Sequence, residues 1–142
     1  LGAIARSAEA AGAGGVVLRE RRSAGVTPAV EKASAGALSW LAVAVVPNIV
    51  RALEDLAERG VWSVGLAAEA AEPLWRAPLL DGPVALVVGA EGSGLSRLVA
   101  ERVDARVAIP LRGRMASLNA SAAAAVALFE VARRRAARPP DR

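Results

Sequence analysis

Cysteine and histidine are both absent from the 142 residues. Without cysteine there is no disulfide framework and no thiolate metal site. Without histidine the chain lacks the commonest general base and the commonest metal ligand. No metal site is expected, and proton chemistry falls to Arg, Glu, Ser or Asn. Aromatic residues make up only 3%, so a core has to be built from Ala, Val, Leu and Ile. No apolar run approaches the roughly 18 residues that a membrane span needs, and nothing reads as a signal peptide. The expectation is a cytoplasmic protein with no membrane partner. Lysine is nearly missing too. Lys32 is the sole example, and arginine carries the formal charge of +4 and the pI of about 11.1. Arginine suits bidentate phosphate contact, but an Arg-rich, Ala-rich balance also follows from genome composition.

What is present is 54% hydrophobic residues, enough for one domain with a real core. Residues 1–11 read as a helix closed by Gly12, with Leu1, Ile4, Ala5 and Ala8 on its apolar stripe. A strand is predicted over 15–18, followed by a charged loop containing Arg19, Arg21 and Arg22. That loop is either a solvated connection or a phosphate contact. Thr27 and Pro28 open a helix that Gly36 ends. A strand follows at 41–46, then a helix capped by Asn48 and stopped by Gly60, then a strand at 61–66. Residues 69–83 form an irregular stretch, where Trp75 either stacks on a base or adenine or covers a core edge. Beyond it the pattern predicts a strand at 84–88, a helix at 95–102, a strand at 105–109 and a helix over about 119–135. Arg133, Arg134 and Arg135 near the end of that helix complement its dipole, and residues 136–142 should be loose. Strands alternating with helices point to an α/β fold, mostly a parallel sheet with helices on both faces.

Two loops stand out. In IPLRGRMASLNASAAAAVALFE, from Ile109 to Glu130, Pro110 ends a strand and a basic loop with Arg112 leads into an Ala-rich helix. Ser117 and Asn119 can both cap its first turn. A helix start beside a strand end favours anionic or carboxylate ligands. In VALVVGAEGSGL, from Val84 to Leu95, an apolar strand runs into glycines that let the backbone turn tightly and come close to a ligand. This loop fits neither the phosphate-loop nor the dinucleotide pattern. Ligands of parallel sheets bind outside the carboxyl ends of strands. Leu66-Ala67, Gly89-Ala90 and Ile109-Pro110-Leu111 are therefore the candidates to enclose one small molecule.

GAEGSGL followed by IPLRGRMASLNASAAAA resembles motifs two and three of the SpoU (TrmH-like) RNA 2′-O-ribose methyltransferases of the trefoil-knotted SPOUT superfamily. Gly2-Ala3-Ile4-Ala5-Arg6-Ser7-Ala8, with Gly12 and Gly15-Val16-Val17-Leu18, resembles motif one. The Asn that usually opens that motif, just before the position of Leu1, is not in this chain. The middle, RRSAGVTPAVEKASAGA with NIVRALEDLAERGVWSVG, looks most like the branch that methylates a guanosine of large-subunit (23S) ribosomal RNA.

The resemblance implies a deep C-terminal trefoil knot, S-adenosylmethionine as methyl donor and a ribose 2′-hydroxyl as acceptor. Backbone groups at Gly89, Ile109 and Leu118 would hold the adenine, with Leu66, Ala67, Ala90 and Leu111 completing the cofactor site. The catalytic set becomes Arg6, Glu91, Ser117 and Asn119. Arg6 would either stabilise the developing alkoxide or act as a base through a relay, since arginine stays protonated near neutral pH. Arg19, Arg21, Arg22 and Arg112 would contact RNA. The resemblance also implies a homodimer in which Arg6 completes the site across the interface; the Ala-rich first and last helices are either that contact or packed inside one subunit. The chain opens on Leu1 inside a motif, so residues 1–142 are expected to be a catalytic domain from a longer protein with an N-terminal RNA-binding domain. Other acceptors within the resemblance are guanosine of transfer RNA and ribosomal adenosine in antibiotic resistance. A knotted RNA-binding module without activity is the reading from a different class.

Overall fold

A computed structural model describes residues 1–20, 32 and 35–139. In chain order the elements are α1 (Gly2–Ala10), β1 (Gly15–Arg19), a 3-10 turn (Ala37–Ser39), β2 (Ala42–Val46), α2 (Ile49–Glu58), β3 (Trp62–Leu66) and β4 (Glu72–Pro73). Then come two 3-10 turns (Leu74–Arg76 and Pro78–Asp81), β5 (Val84–Val87), α3 (Arg97–Arg102), β6 (Ala105–Ala108) and α4 (Ala120–Ala137). The helix expected from Thr27 lies outside the described residues, as do Arg21 and Arg22. Every strand pairing is parallel, as expected, but the strands form two sheets: β1 with β2, and four strands in the order β4-β6-β3-β5. Among the described residues no helix is long and apolar enough to cross a membrane.

The caps explain where the helices begin. Asn48 Oδ1 accepts from the Arg51 amide at 3.2 Å to start α2, and Asn119 Oδ1 accepts from Ala122 at 2.8 Å to start α4. The expected helix at 95–102 starts late, at Arg97, because Ser96 takes the cap position and its Oγ accepts from the Val99 amide. Helix α4 runs through Ala137, so the first residues of the expected loose tail are helical. Its last turn is held from outside, as described below.

Alternation along the strands sorts the four-stranded sheet into two faces. On one, Val64 and Val107 pack with Leu74 and Leu80 beneath Ala127 and Val131 of α4, with Leu66, Leu86 and Ile109 at the margin. Val64, Leu74, Leu80 and Val107 are fully buried, each contributing roughly 1.5–3 kcal/mol. On the other, α2 packs against β3, and the chain around Leu95 and Val103 closes over Gly65. A methyl at Gly65 would lie 2.7 Å from Leu95 Cδ1 and 3.3 Å from Val103. That is why a glycine interrupts this strand. A second, smaller core joins Ala5 and Ala8 of α1 to Leu38 and Leu41, with Val16 and Leu128 against them.

Register places β6 between β3 and β4. Val107 lies opposite Leu66 on one side and Glu72 on the other. Residues 67–71 therefore arch across β6, and the Ala67 amide donates to the Val107 carbonyl at 2.9 Å. The entry to β6 is locked by a reciprocal set. Asp104 Oδ2 accepts from the Ser63 amide (2.8 Å) and hydroxyl (3.0 Å), while Ser63 Oγ accepts from the Asp104 amide (3.0 Å).

The expectation that Arg133, Arg134 and Arg135 serve the helix dipole is too small a role for Arg134. Its side chain is only 12% exposed and meets Glu130, which is 7% exposed, at 3.1 Å. It also donates to the carbonyls of Ala77 (2.6 Å), Trp75 (2.9 Å) and Leu74 (3.3 Å) and to Asp81 Oδ1 (3.2 Å). One guanidinium thus ties α4 to the 3-10 turns. Arg133 closes the other side of Glu130 with two bonds of 2.8 and 2.9 Å.

Those hydrogen bonds, from Arg133 first and Arg134 as well, outweigh burial and lower the Glu130 pKa from 4.5 to about 2. A carboxylate with a depressed native pKa stabilises the fold above its unfolded pKa and loses that contribution as pH falls through the native one. Chemical denaturation across pH should show wild-type stability falling between pH 4.5 and about 2, with that segment flattened in Glu130→Gln. Arg134→Ala should cost about 2–4 kcal/mol at neutral pH, because it leaves buried acceptors unpaired. The exposed Arg133→Ala should cost less.

Candidate active site

β6, β3 and β5 are parallel neighbours, with Leu66 opposite Val107 and Gly65 opposite Val87. Their carboxyl ends therefore open at one edge of the sheet. The structure brings Leu66, Ala67, Gly89, Ala90, Ile109 and Leu111 to that edge, as the strand pattern implied. Leu66, Ala67, Gly89 and Ile109 are partly buried, while Ala90 and Leu111 are exposed.

The Gly89 loop is closed on itself. The Gly94 amide donates to the Ala90 carbonyl at 2.9 Å, and Gly92 and Gly94 take positive φ (+81° and +68°), a conformation that L side chains adopt only at a cost. A Cβ on Gly89 would overlap the backbone of Gly94 and Leu95. The tight turn expected of these glycines is present: the space at Gly89 is taken by the loop's own backbone. Glu91 stands exposed on this turn.

The second loop, 110–119, is exposed throughout. Residues 111–118 make no main-chain to main-chain hydrogen bonds among the described residues. Their donors and acceptors are left to water or a ligand. Asn119 is committed: its Oδ1 accepts from the Ala122 amide and from Ser121 Oγ at 3.0 Å. The capping expected of it is present, and it fixes the point where the loop becomes helix. Ser117, Leu118 and Arg112 lie exposed on the loop, as do Arg114 and Met115, the latter 76% exposed. Composition marked Arg114 as basic, but nothing in the spacing set it apart from Arg112.

Arg6 is placed differently. It is exposed on α1, a helix that packs chiefly against α4, the first 3-10 turn and β1, with Ala5 and Ala8 inward. Arg19 ends β1, an exposed position on the two-stranded sheet. Within one chain, then, the strand-end loops gather Glu91, Ser117 and Asn119, while Arg6 and Arg19 belong to the α1–β1 unit.

A cavity of about 200 Å³ lies elsewhere, lined by Val50, Leu53, Ala57, Ser63 and Asp104 among others. It sits at the amino ends of β3 and β6. Its polar lining is already satisfied, since Ser63 pairs with Asp104 and Arg102 pairs with Glu54 at 3.2 Å. The strand-end loops, with their unpaired backbone, are the chemically competent place.

Known proteins carry the same arrangement. The model of the SpoU rRNA Methylase family matches residues 1–129. The 23S rRNA (guanosine-2'-O-)-methyltransferase RlmB of Ralstonia nicotianae is 45% identical over 139 residues, covering 98% of this chain and 55% of the relative. The protein of that name from Xanthomonas campestris pv. campestris is 48% identical over 135 residues, covering 95% and 54%. The chain thus spans about half the length of these curated relatives. Among solved structures, the SpoU methyltransferase AviRb from Streptomyces viridochromogenes, in complex with AdoMet, matches with a TM-score of 0.87 at 29% identity, over 95% of this chain and 55% of that one. The A. aeolicus TrmH/SpoU tRNA modifying enzyme matches at 0.84 and 28% identity, over 95% and 68%. The motif order from Arg6 to Asn119, the parallel strand ends and these matches agree: this chain belongs to the SpoU rRNA methylase family.

Proposed function

We propose that residues 1–142 form the catalytic domain of an S-adenosylmethionine-dependent RNA 2′-O-methyltransferase whose acceptor is a guanosine of 23S ribosomal RNA. The observation that carries this reading is that the Gly89–Gly94 turn and the 109–119 loop leave the same edge of the sheet, from the ends of β5 and β6 on either side of β3, with the backbone of 111–118 unpaired. An adenine edge is read by backbone amides and carbonyls of this kind, which accounts for Ile109 and Leu118 as binding positions. The same register supports a trefoil knot. Residues 67–71 bridge across β6 from Leu66 to Glu72, and the chain beyond Ala108 would pass beneath that arch on its way to α4. The relatives named for guanosine-2'-O transfer on 23S rRNA favour that acceptor over transfer RNA.

S-adenosylmethionine, when bound, would supply an electrophilic sulfonium methyl for the ribose oxygen, with the thioether as leaving group and the hydroxyl proton passing to water. The chain's own residues hold and polarise the acceptor. Asn119, fixed as the cap of α4, and Ser117 beside it position the ribose, and Glu91 orients the loop and the arginines. A cation at the developing alkoxide lowers the barrier, and Arg6 is assigned that task. Arg6 stands exposed on α1, so it would reach the loops of a second subunit in a homodimer built on α1 and α4. The half-exposed Phe129 of α4 would find cover in the same contact. Arg19, Arg21, Arg22 and Arg112 would hold RNA phosphates.

Two outcomes are expected. Calorimetry should find one S-adenosylmethionine site per chain. Gly89→Ala should lose it together with several degrees of thermal midpoint, because the loop itself cannot close. Retained affinity in that variant would move the site elsewhere. Arg6→Ala should keep cofactor affinity and lose methyl transfer into ribosomal RNA by about 10²–10³. Activity within a few-fold of wild type would make Arg6 an ordinary surface residue.

A further inference from the structure

Trp75 and the arginines at the end of α4 take no part in the site described above. Trp75 is 47% exposed and stands in the 3-10 turn that Arg134 binds through the Trp75 carbonyl. Arg76 follows it, exposed. Arg138, one turn beyond Arg134, donates to the Asp81 carbonyl at 2.8 Å and so lies on the same segment; Arg135 is exposed between them. The nearby acids do not offset this charge. Glu130 is taken by Arg133 and Arg134, and Asp81 by Arg134. Glu72 on β4 is the other carboxylate in the vicinity. Arg76 and Arg135 form no ion pair among the described residues.

We propose that Trp75, Arg76, Arg135 and Arg138 form a second RNA-contact surface, which grips a single-stranded stretch of the substrate away from the nucleotide being methylated. It rests on the reading of the chain as an RNA methyltransferase. An exposed indole among guanidinium groups is the combination that binds single strands, with a base stacked on the ring and phosphates on the arginines. Stiffness adds to the case. The clamp through Arg134 and Glu130 fixes the turn under Trp75 against α4, so the surface is ordered before RNA arrives. Helix α4 sets the separation: at 1.5 Å per residue, Arg135 lies about 24 Å along the helix from Asn119. The arginine end of the surface, Arg135 and Arg138, therefore cannot touch the target ribose held at Asn119. Its part is affinity and placement.

The test measures fluorescence anisotropy of labelled oligouridylate against the wild-type chain, a combined Arg76→Gln, Arg135→Gln, Arg138→Gln variant, Trp75→Ala and Trp75→Phe, over a salt series. The combined variant should bind about tenfold more weakly or worse, and its log–log salt slope should shrink by about 2, at roughly 0.7 per lost contact. Trp75→Ala should weaken binding at least about fivefold, and Trp75→Phe should restore most of the loss. Thermal midpoints and S-adenosylmethionine affinity should stay at wild-type values. Unchanged RNA affinity and slope in the combined variant would overturn the proposal. So would a changed oligomeric state in sedimentation with RNA binding intact, which would make this a subunit contact. Methyl transfer is assayed alongside. A wild type that transfers methyl while the variants bind RNA equally well sinks only the surface. A wild type that transfers none while the variants lose RNA sinks only the enzyme reading.

Discussion

The insertion of β6 between β3 and β4 is the constraint on which the strand-end loops depend. Val107 faces Leu66 on one side and Glu72 on the other, so the chain leaving β6 emerges where β3 and β5 also end. Ser63 and Asp104 hold the entry to that strand with reciprocal bonds, and at the buried Ser63 an unpaired group is costly. The Ala67 amide holds the exit. A slip of one residue would turn Val107 out of the core and shift Ile109 along the edge that β3 and β5 share.

Close approach of backbones runs through the rest of the molecule. Gly65 admits Leu95 and Val103, and Gly89 admits the backbone of Gly94. Ala124 and Ala127 are buried along α4, and Ala5 and Ala8 along α1. Small residues fill little volume, so the fold depends on tight element-to-element packing rather than on large anchors. Where that packing ends, at the last turns of α4, a polar device takes over. Arg134 spans from Glu130 to the carbonyls of the 3-10 turns, and its bonds hold the helix that carries Asn119 at its other end. Rigidity of the site and the clamp far from it are thus connected through one helix.

Much of this was legible in the sequence, and the exceptions share a cause. Apolar runs such as VALVV and the caps at Asn48 and Asn119 are local signals, and they placed the strands and helix starts. The division into two sheets was not legible, because alternation of strand and helix says nothing of which strands pair. Arg134 was hidden in a run of arginines at a helix C-terminus, where the dipole offered a sufficient local reason. The tightness at Gly65 comes from Leu95 and Val103, distant in the chain. Trp75 was ambiguous between stacking and covering a core edge, and its half-exposed position leaves room for both. The strand-end reasoning that picked out Leu66-Ala67, Gly89-Ala90 and Ile109-Pro110-Leu111 rested on local pattern, and the parallel register puts those ends at one edge of the sheet. Arg6 stands apart, exposed on α1. Local pattern therefore reached the elements and the loops, and tertiary contact decided the remainder.

The central claim is that the cofactor is read by the backbone at three strand ends, not in the cavity beside α2. Amide chemical shifts of the isotopically labelled chain, followed during titration with S-adenosylmethionine, test it most directly. The account predicts that the largest changes fall on Ala67, Gly89, Ile109 and Leu118, with Val50, Ala57 and Ser63 unmoved. Changes concentrated on Val50, Ala57 and Ser63, with the strand-end amides still, would contradict it.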